Sequence, residues 1–584
     1  MSITNYLTFA GGLGLLLYGI KLMGEGLELA AGSRLKHLLE KMTKNRFLAV
    51  LVGFLITTLI QSSSATTVMV VGFVNTGLMN LTQAIGVIMG ANIGTTTTSV
   101  LVSLNLTGIA PIAIFIGAFM ILFAKKNSLK YVGQALAGFG MLFMGMEFMQ
   151  NAMDPLKDSE VFRNWIINAD NPLVGILIGA GVTGVIQSSA ASVGILQALA
   201  SQGLVPLSFA VYIIFGQNIG TCVTALLSSI GATKNGKRAA IIHLYFNVIG
   251  TVTFMIVFYA LNAVIHFSFL NLTAQEFGIA VIHTAFNIIT TAYLLPLRKV
   301  LEKLAYATIK LDDDEKRIMD SRSGNEFALL DDRFLEAPSL AVEHCKQVIN
   351  KMADISRESL FISMSLISGY DEEQALRVGE LETMADKYED ALGTYIMKIS
   401  TKNLKKEDSE MLNVMLHCIG DFERISDHAC NLCDSARELQ QKNMQFSPKA
   451  ETELDILSSA VREAVDISFD AFKSNNKNEA DKVEPLEELI DTLSVELKAR
   501  HIRRLREGKC TIELGFAHSD ILNNLERVAD HCSNIAVDVI QSDQLEFDAH
   551  EYLDRIKNKD NQQFARDYKA YKEKYRLPET RSFQ

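Results

Sequence analysis

From Phe47 to Ala124 the chain carries no Asp, Glu, Lys or Arg. An uncharged run of that length belongs in hydrocarbon, where a single helical crossing takes about 20 apolar residues. Inside the run lies a polar island, Gln61-Ser62-Ser63-Ser64-Ala65-Thr66-Thr67. A hydroxyl or amide placed in hydrocarbon without a partner costs roughly 2–7 kcal/mol. Such a cluster is therefore tolerable only where it lines a protein-walled cavity. It returns 126 residues later as Gln187-Ser188-Ser189-Ala190-Ala191-Ser192-Val193. Two copies at one offset imply two half-sites that face each other.

The same offset relates longer stretches. Gly12-Leu13-Gly14 matches Gly138-Phe139-Gly140, and Gly19 and Met23 match Gly145 and Met149. Gly90-Ala91-Asn92-Ile93-Gly94-Thr95 matches Gly216-Gln217-Asn218-Ile219-Gly220-Thr221. This is a duplication, with repeats at about 5–125 and 131–251. Glycine-interrupted apolar repeats are a transporter signature.

Loop charge sets orientation through the positive-inside rule. Arg34, Lys36, Lys41, Lys44 and Arg46 make one loop basic, whereas its counterpart carries Arg163 against Glu160 and Asp170. Lys125, Lys126 and Lys130 make another, as do Lys234, Lys237 and Arg238, whose counterpart near Gly108 is uncharged. Corresponding loops of opposite character predict inverted repeats. With basic loops inside, spans fall near 7–29, 83–104, 109–124, 131–150, 207–229, 239–260 and 277–297, with the N-terminus outside. The first apolar segment, about Leu7–Ala30, lacks a basic start and a cleavage site and is expected to be retained. Segments 48–74 and 173–200 each centre on a Gln-Ser motif and do not fit as full spans. They are expected to be re-entrant hairpins that meet near the midplane. Their tips would leave free helix N-termini, an anion site reinforced by the helix dipole.

Paired Gln-Ser-Ser hairpins, each followed by Gly-x-Asn-Ile-Gly-Thr, resemble the type II sodium–phosphate cotransporter family. His243-x-x-Phe246-Asn247 and its echo His283-x-x-Phe286-Asn287 fit as well. The resemblance implies that phosphate and sodium bind at Gln61, Ser62, Ser63, Ser64, Thr66, Gln187, Ser188 and Ser189, with Asn92, Thr95, Asn218 and Thr221 shaping the cavity or supplying sodium oxygens. Ala190 and Val193 replace Ser64 and Thr67 in the second copy, so the half-sites are chemically unequal. The residues alone lead the same way. Neither hairpin carries Arg or Lys, so a buried oxyanion would need bound cations to offset its charge. His243 and His283 sit at span starts and are read as structural hydrogen-bonding groups.

The rest of the chain is different in kind. The net charge of −11 over 584 residues belongs mainly to the region after Lys303, which argues against nucleic acid as a partner. Six of seven Cys lie after residue 340 with no disulfide framework, as in a reducing cytosol. Cys430-x-x-Cys433 has no second pair and reads as packing. Residues 301–337 form a linker that includes Asp312-Asp313-Asp314-Glu315. Apolar periodicity then predicts six helices near 338–369, 372–400, 406–441, 448–475, 481–507 and 512–541, in two three-helix halves. A charged tail, 542–584, follows.

Within the halves, Glu423-x-x-x-Asp427-x-x-x-Asn431 is echoed by Glu526-x-x-x-Asp530-x-x-x-Asn534. Glu382-x-x-x-Asp386 and Glu487-x-x-x-Asp491 stand earlier in each half. Residues i and i+4 share a helix face, so paired helices would converge carboxylates suited to a divalent metal. This part resembles a PhoU-like domain over about 338–541. The resemblance implies a metal (iron, zinc, manganese or magnesium) and a role in tying phosphate uptake to cellular phosphate state.

The expected architecture is all-α. A polytopic membrane domain at 1–300, with inverted repeats, two re-entrant hairpins and an extra helix at 277–297, is followed by a cytoplasmic six-helix bundle. The expected function is sodium-coupled phosphate symport at the cell (inner) membrane, with phosphate, sodium and the lipid bilayer as partners and a homodimer compatible with it. A phosphate exporter and a membrane-bound phosphate sensor are the rivals. A phosphohydrolase is disfavoured because no nucleophile or basic clamp accompanies the acidic motifs, so no enzyme activity is expected.

Overall fold

The computed structural model describes residues 2–31, 45–104, 106–156, 159, 171–203, 205–266, 272–310, 326–542 and 562–578. The charged loop residues Arg34–Lys44, Glu160, Arg163 and Asp170, and linker residues 312–315, lie outside them. Among the described residues all regular structure is helical, with one isolated bridge between Pro206 and Thr273. The chain forms two compact units, Met1–Leu340 and Ala341–Gln584.

The first unit opens with α1 (Ile3–Ala31), α2 (Arg46–Ile60), α3 (Ser63–Asn75), α4 (Leu81–Ser103), α5 (Ala110–Phe123) and α6 (Asn127–Met153). It continues with α7 (Pro172–Ile186), α8 (Ser189–Ser201), α9 (Leu207–Gly220), α10 (Cys222–Ser228), α11 (Lys234–Ile265), α12 (Glu276–Leu294) and α13 (Arg298–Thr308). The boundaries of α2 and α3 recur in α7 and α8 at the 126-residue offset without slippage. Among the described residues, six segments are long and apolar enough to cross a membrane: Ile3–Ala30, Leu81–Ser103, Asn127–Leu156, Leu207–Ser228, Lys234–Ile265 and Glu276–Leu294. The seventh expected span, 109–124, is the 14-residue α5, which starts after a 3-10 turn at Thr107–Ile109.

Both Gln-Ser segments are helix–break–helix hairpins. Thr57 Oγ1 lies 3.0 Å from Thr66 Oγ1, and Thr183 Oγ1 lies 2.8 Å from Ser192 Oγ. Nine residues along an unbroken helix would put those groups roughly 13 Å apart, so each segment folds back on itself. The break has a local cause. Gln61 and Gln187 take the left-handed conformation, at φ 58° and 57°. The serine after each caps the next helix: Ser62 Oγ accepts from the Ala65 N–H at 3.1 Å and Ser188 Oγ from the Ala191 N–H at 3.3 Å.

The repeats are brought together through α1 and α6, copies of one element. Gly12 approaches Gly145 and Gly19 approaches Gly138, so the two copies run antiparallel, as inverted repeats require. A Cβ on Gly19 would lie 2.5 Å from the Leu142 backbone nitrogen and 2.7 Å from the Gly138 carbonyl oxygen. Only glycine permits this approach, and close backbone packing is what joins helices when both neighbours and solvent are apolar.

The second unit holds α14 (Pro338–Leu366, which begins just before the unit boundary), α15 (Glu372–Ser400), α16 (Lys406–Gln441), α17 (Pro448–Ser474), α18 (Val483–Arg506) and α19 (Ile512–Gln541). These are the six expected helices, within a few residues. Phe422 sits at the centre, with Phe469 and Phe472 edge-on at 4.8 and 5.2 Å. The tail contains a further helix, α20 (Gln562–Lys574). It is docked on the bundle: Lys574 Nζ pairs with Glu463 at 2.8 Å, and the Pro578 carbonyl accepts from Arg500 at 2.9 Å.

Substituting Gly19→Leu is expected to destabilise the first unit by about 1–3 kcal/mol, the usual cost of overpacking. Gly11→Leu, where a Cβ would meet nothing within 4 Å, serves as the control. Thermal unfolding of both purified variants in detergent is the check, and only Gly19→Leu should melt earlier.

A cavity between the hairpin tips, and two acidic groups in the bundle

The two tips open on one cavity of about 320 Å³. Gln61, Ser62, Ser63 and Ser64 come from the first tip and Gln187, Ser188 and Ser189 from the second, with Thr95 from α4. A water occupies about 30 Å³ of liquid, so the space admits an oxyanion together with several small ions or waters. Helices α3 and α8 both start at its wall, so two positive dipole ends and their first-turn N–H groups face the space. The serine hydroxyls that cap these helices already satisfy one N–H each, which holds the tips in shape before anything binds.

Some expected residues stand behind the wall. Asn92 Nδ2 donates to the Ile88 carbonyl and Asn218 Nδ2 to the Ile214 carbonyl, at 2.9 and 3.0 Å. That turns both Oδ1 atoms outward as acceptors, and His243 Nε2 and His283 Nε2 meet them at 3.3 and 3.2 Å. Both imidazoles therefore carry their hydrogen on Nε2. Thr66 Oγ1 donates to the Ser62 carbonyl and Thr221 Oγ1 to the Gln217 carbonyl. These residues brace the elements that carry the tips.

Other residues join the site only in three dimensions. Thr98 Oγ1 donates to Gln61 Oε1 at 2.7 Å and lines the cavity. Its repeat mate Thr224 reaches Ser64 Oγ at 3.2 Å. Their shared offset, within the run Thr95-Thr96-Thr97-Thr98, is the signal that could have found them. Lys21, Glu25, Glu28 and Glu336 also line the space, and Lys21 Nζ lies 3.7 Å from Glu25. Among the lining residues, three carboxylates thus stand against one ammonium, which makes the site a poor host for an anion alone.

In the bundle, one carboxylate oxygen from each of Glu382, Asp386 and Asp427 lies within 4.8 Å of the others. The same holds for Glu487, Asp491 and Asp530. The fourth acids differ. Burial, then the charges of Asp427, Glu389 and Asp386, push the Glu423 carboxyl up to about 7. Burial works the same way on Glu526, but the Ser494 hydroxyl at 2.7 Å and Lys498 at 3.0 Å outweigh it and hold that carboxyl below its usual range. Asn431 is exposed, and Asn534 Nδ2 donates to Asp421 at 3.2 Å. The halves meet through crossed pairs at equivalent positions: His428 Nδ1 with Asn524, and His531 Nδ1 with Asp421, both at 2.8 Å.

Comparison with known proteins identifies both parts of the chain. The Na+/Pi-cotransporter family model matches residues 15–151 and 157–289, and the PhoU domain model matches 349–436 and 454–539. A Salmonella typhimurium protein named for inorganic phosphate export, YjbB, is 23% identical over 92% of this chain and 98% of its own. The Thermotoga maritima phosphate-specific transport system accessory protein PhoU homolog 1 is 26% identical over 33% of this chain and 84% of its own. The mouse sodium-dependent phosphate transport protein 2C is 32% identical over 25% of this chain and 26% of its own. The first unit belongs to the Na+/Pi-cotransporter family, a family of transporters rather than enzymes. The chain as a whole is a phosphate-transport protein with a PhoU domain fused behind the membrane part.

One titration tests the electrostatics of the bundle. Asp538 is buried beside Cys418, and burial, with the Asp421 charge, pushes its carboxyl up to about 7. The folded state then holds a proton that the unfolded chain releases near pH 4. Stability from this group is full below the unfolded value and is lost as pH rises through about 7. The Asp538→Asn variant should lack that loss, so the wild-type melting temperature should fall relative to the variant between pH 5 and pH 8.

Proposed function

We propose that the chain carries inorganic phosphate across the membrane together with sodium, through the cavity where the duplicated tips meet. The observation that carries this reading is the site's composition. Hydroxyls, amides and two helix N-termini can grip an oxyanion, yet the lining charge is net negative. Burying a largely dianionic phosphate there costs many kcal/mol unless cations enter with it. Hydroxyl and carbonyl oxygens are the donors a hard monovalent cation takes. Mutual need then is the coupling: each solute binds well only beside the other. The short hairpins enter the bilayer from opposite faces, their limbs of about 20 Å being too short for a hydrocarbon core of about 30 Å. The N-terminus lies outside and the bundle in the cytoplasm.

Direction follows the gradients. Similarity to YjbB over nearly the whole chain makes export as natural a use of this architecture as import. Radiolabelled phosphate flux in proteoliposomes, with imposed sodium gradients of either sign, is the test. Flux should follow the sodium gradient, should stop when choline replaces sodium, and should fall at least tenfold in Gln61→Ala and Gln187→Ala while both variants remain folded. Equal flux in choline would end the coupling claim.

The bundle serves as a sensor that adjusts transport to phosphate state, with divalent metal held at the two acidic groups. Their all-oxygen donor sets suit iron, manganese or magnesium better than zinc. Lys498 pairs with Glu526 at the second group, so the first group, with Glu423, should bind the more tightly. Asp427→Asn should therefore lower bound manganese, measured by metal analysis of the full-length protein after dialysis, more than Asp530→Asn does.

A further inference from the structure

The C-terminal part of the linker is more ordered than a tether needs to be. Residues Glu326–Leu330 and Asp332–Glu336 form two 3-10 turns, the second of them packed against α3. Phe334 is fully buried, its ring 5.0 Å from that of Phe73 on α3. Gly72 makes room: a Cβ there would sit 3.2 Å from Phe334 Cε1 and 3.2 Å from Arg333 Cβ. Asp331 Oδ2 accepts from Asn75 Nδ2 at 2.7 Å, and the Asn75 Oδ1 accepts from the Thr233 N–H at 2.8 Å. Arg333 pairs with Asp331 at 2.6 Å and donates from Nε to the Ser228 carbonyl at 3.0 Å. The start of the linker is pinned as well. Buried Arg238 donates from Nε and Nη2 to the Ile309 carbonyl, at 3.0 and 2.7 Å, and lies over the Tyr306 ring.

Two consequences reach the cavity. The strap grips the C-terminal end of α3, whose N-terminal end is Ser62-Ser63-Ser64. The helix between is 13 residues long, a rigid rod of about 20 Å. The strap also delivers Glu336 to the cavity wall, which adds a negative charge where an anion must pass. Two residues later, at Pro338, it becomes the first helix of the PhoU bundle.

Resting on the transport reading above, we propose that residues 331–336 are an autoinhibitory strap: docked, it fixes the first hairpin and sets the Glu336 carboxylate against phosphate entry, and the bundle helix it leads into controls its release. The groove formed by Gly72, Phe73, Asn75 and the Ser228 carbonyl is the strap's receptor. Neither Phe334 nor Arg333 lines the cavity, so their effect on transport would run through the strap.

The test uses the full-length protein in proteoliposomes, as wild type, Phe334→Ala and Glu336→Gln. Two readouts are taken: initial phosphate flux, and amide hydrogen exchange of residues 326–337. In wild type the Phe334 and Ala337 amides, bonded to the Asp331 and Phe334 carbonyls, should be protected. Phe334→Ala should lift that protection, leave α2 and α7 unchanged, and raise flux severalfold. Glu336→Gln should raise flux severalfold with protection intact. Lifted protection in Phe334→Ala with flux unchanged or lower would overturn the proposal, as would fast exchange of these amides in wild type. Absence of any phosphate flux in all three proteins, with the exchange pattern as expected, would instead count against the transport reading and leave the strap's docking established.

Discussion

On the proposed reading, the cost of taking a multiply charged anion out of water, in a site lined by one lysine and no arginine, governs the rest of this molecule. Protein cations are the ordinary answer to that cost. Here the answer lies in geometry: two helix N-termini, capped by their own serines, are pointed at one space from two copies of a hairpin. A static positive charge would hold phosphate whether or not sodium was present. Hydroxyls and dipoles would hold it weakly, and the carboxylates Glu25, Glu28 and Glu336 on the wall would weaken it further. A site that is poor for either ion alone is suited to coupling them.

Duplication is what makes the arrangement cheap to encode. A single hairpin tip at membrane depth would leave its polar groups without partners. An inverted second copy supplies the opposing wall, and the antiparallel contact of α1 with α6 sets the two in register. That contact depends on missing side chains at Gly19 and Gly138 as much as on any attraction. The Asn92–His243 and Asn218–His283 bonds add a layer behind it, with a buried imidazole bracing each copy of the Gly-x-Asn-Ile-Gly-Thr element.

Much of this was legible in the chain. The 126-residue offset, the serine caps and the Gln-Ser breaks are local signals, and the hairpin limbs follow them closely in both copies. Helical periodicity gave the bundle to within a few residues for the same reason. What depended on distant neighbours was hidden. Thr98 and Thr224 look like ordinary helical threonines until the tips fold against them. Asn92 and Asn218 sit in the most repeated motif and are expected to shape the cavity or supply sodium oxygens, but their bonds to the carbonyls four residues earlier and to two distant histidines are set by the fold. The docked helix α20 and the strap around Phe334 lie in charged stretches whose composition suggests solvent. A few buried aromatic and ionic contacts override that composition, and pattern reading has no access to them.

Equilibrium binding of phosphate to the purified protein, with sodium and with choline as the only monovalent cation, addresses the central claim most directly. Linkage requires that each ligand raise the other's affinity by the same factor. The account predicts that phosphate binds markedly tighter in sodium, and that added phosphate raises sodium affinity by a matching factor. Phosphate affinity that is the same in both salts would contradict it.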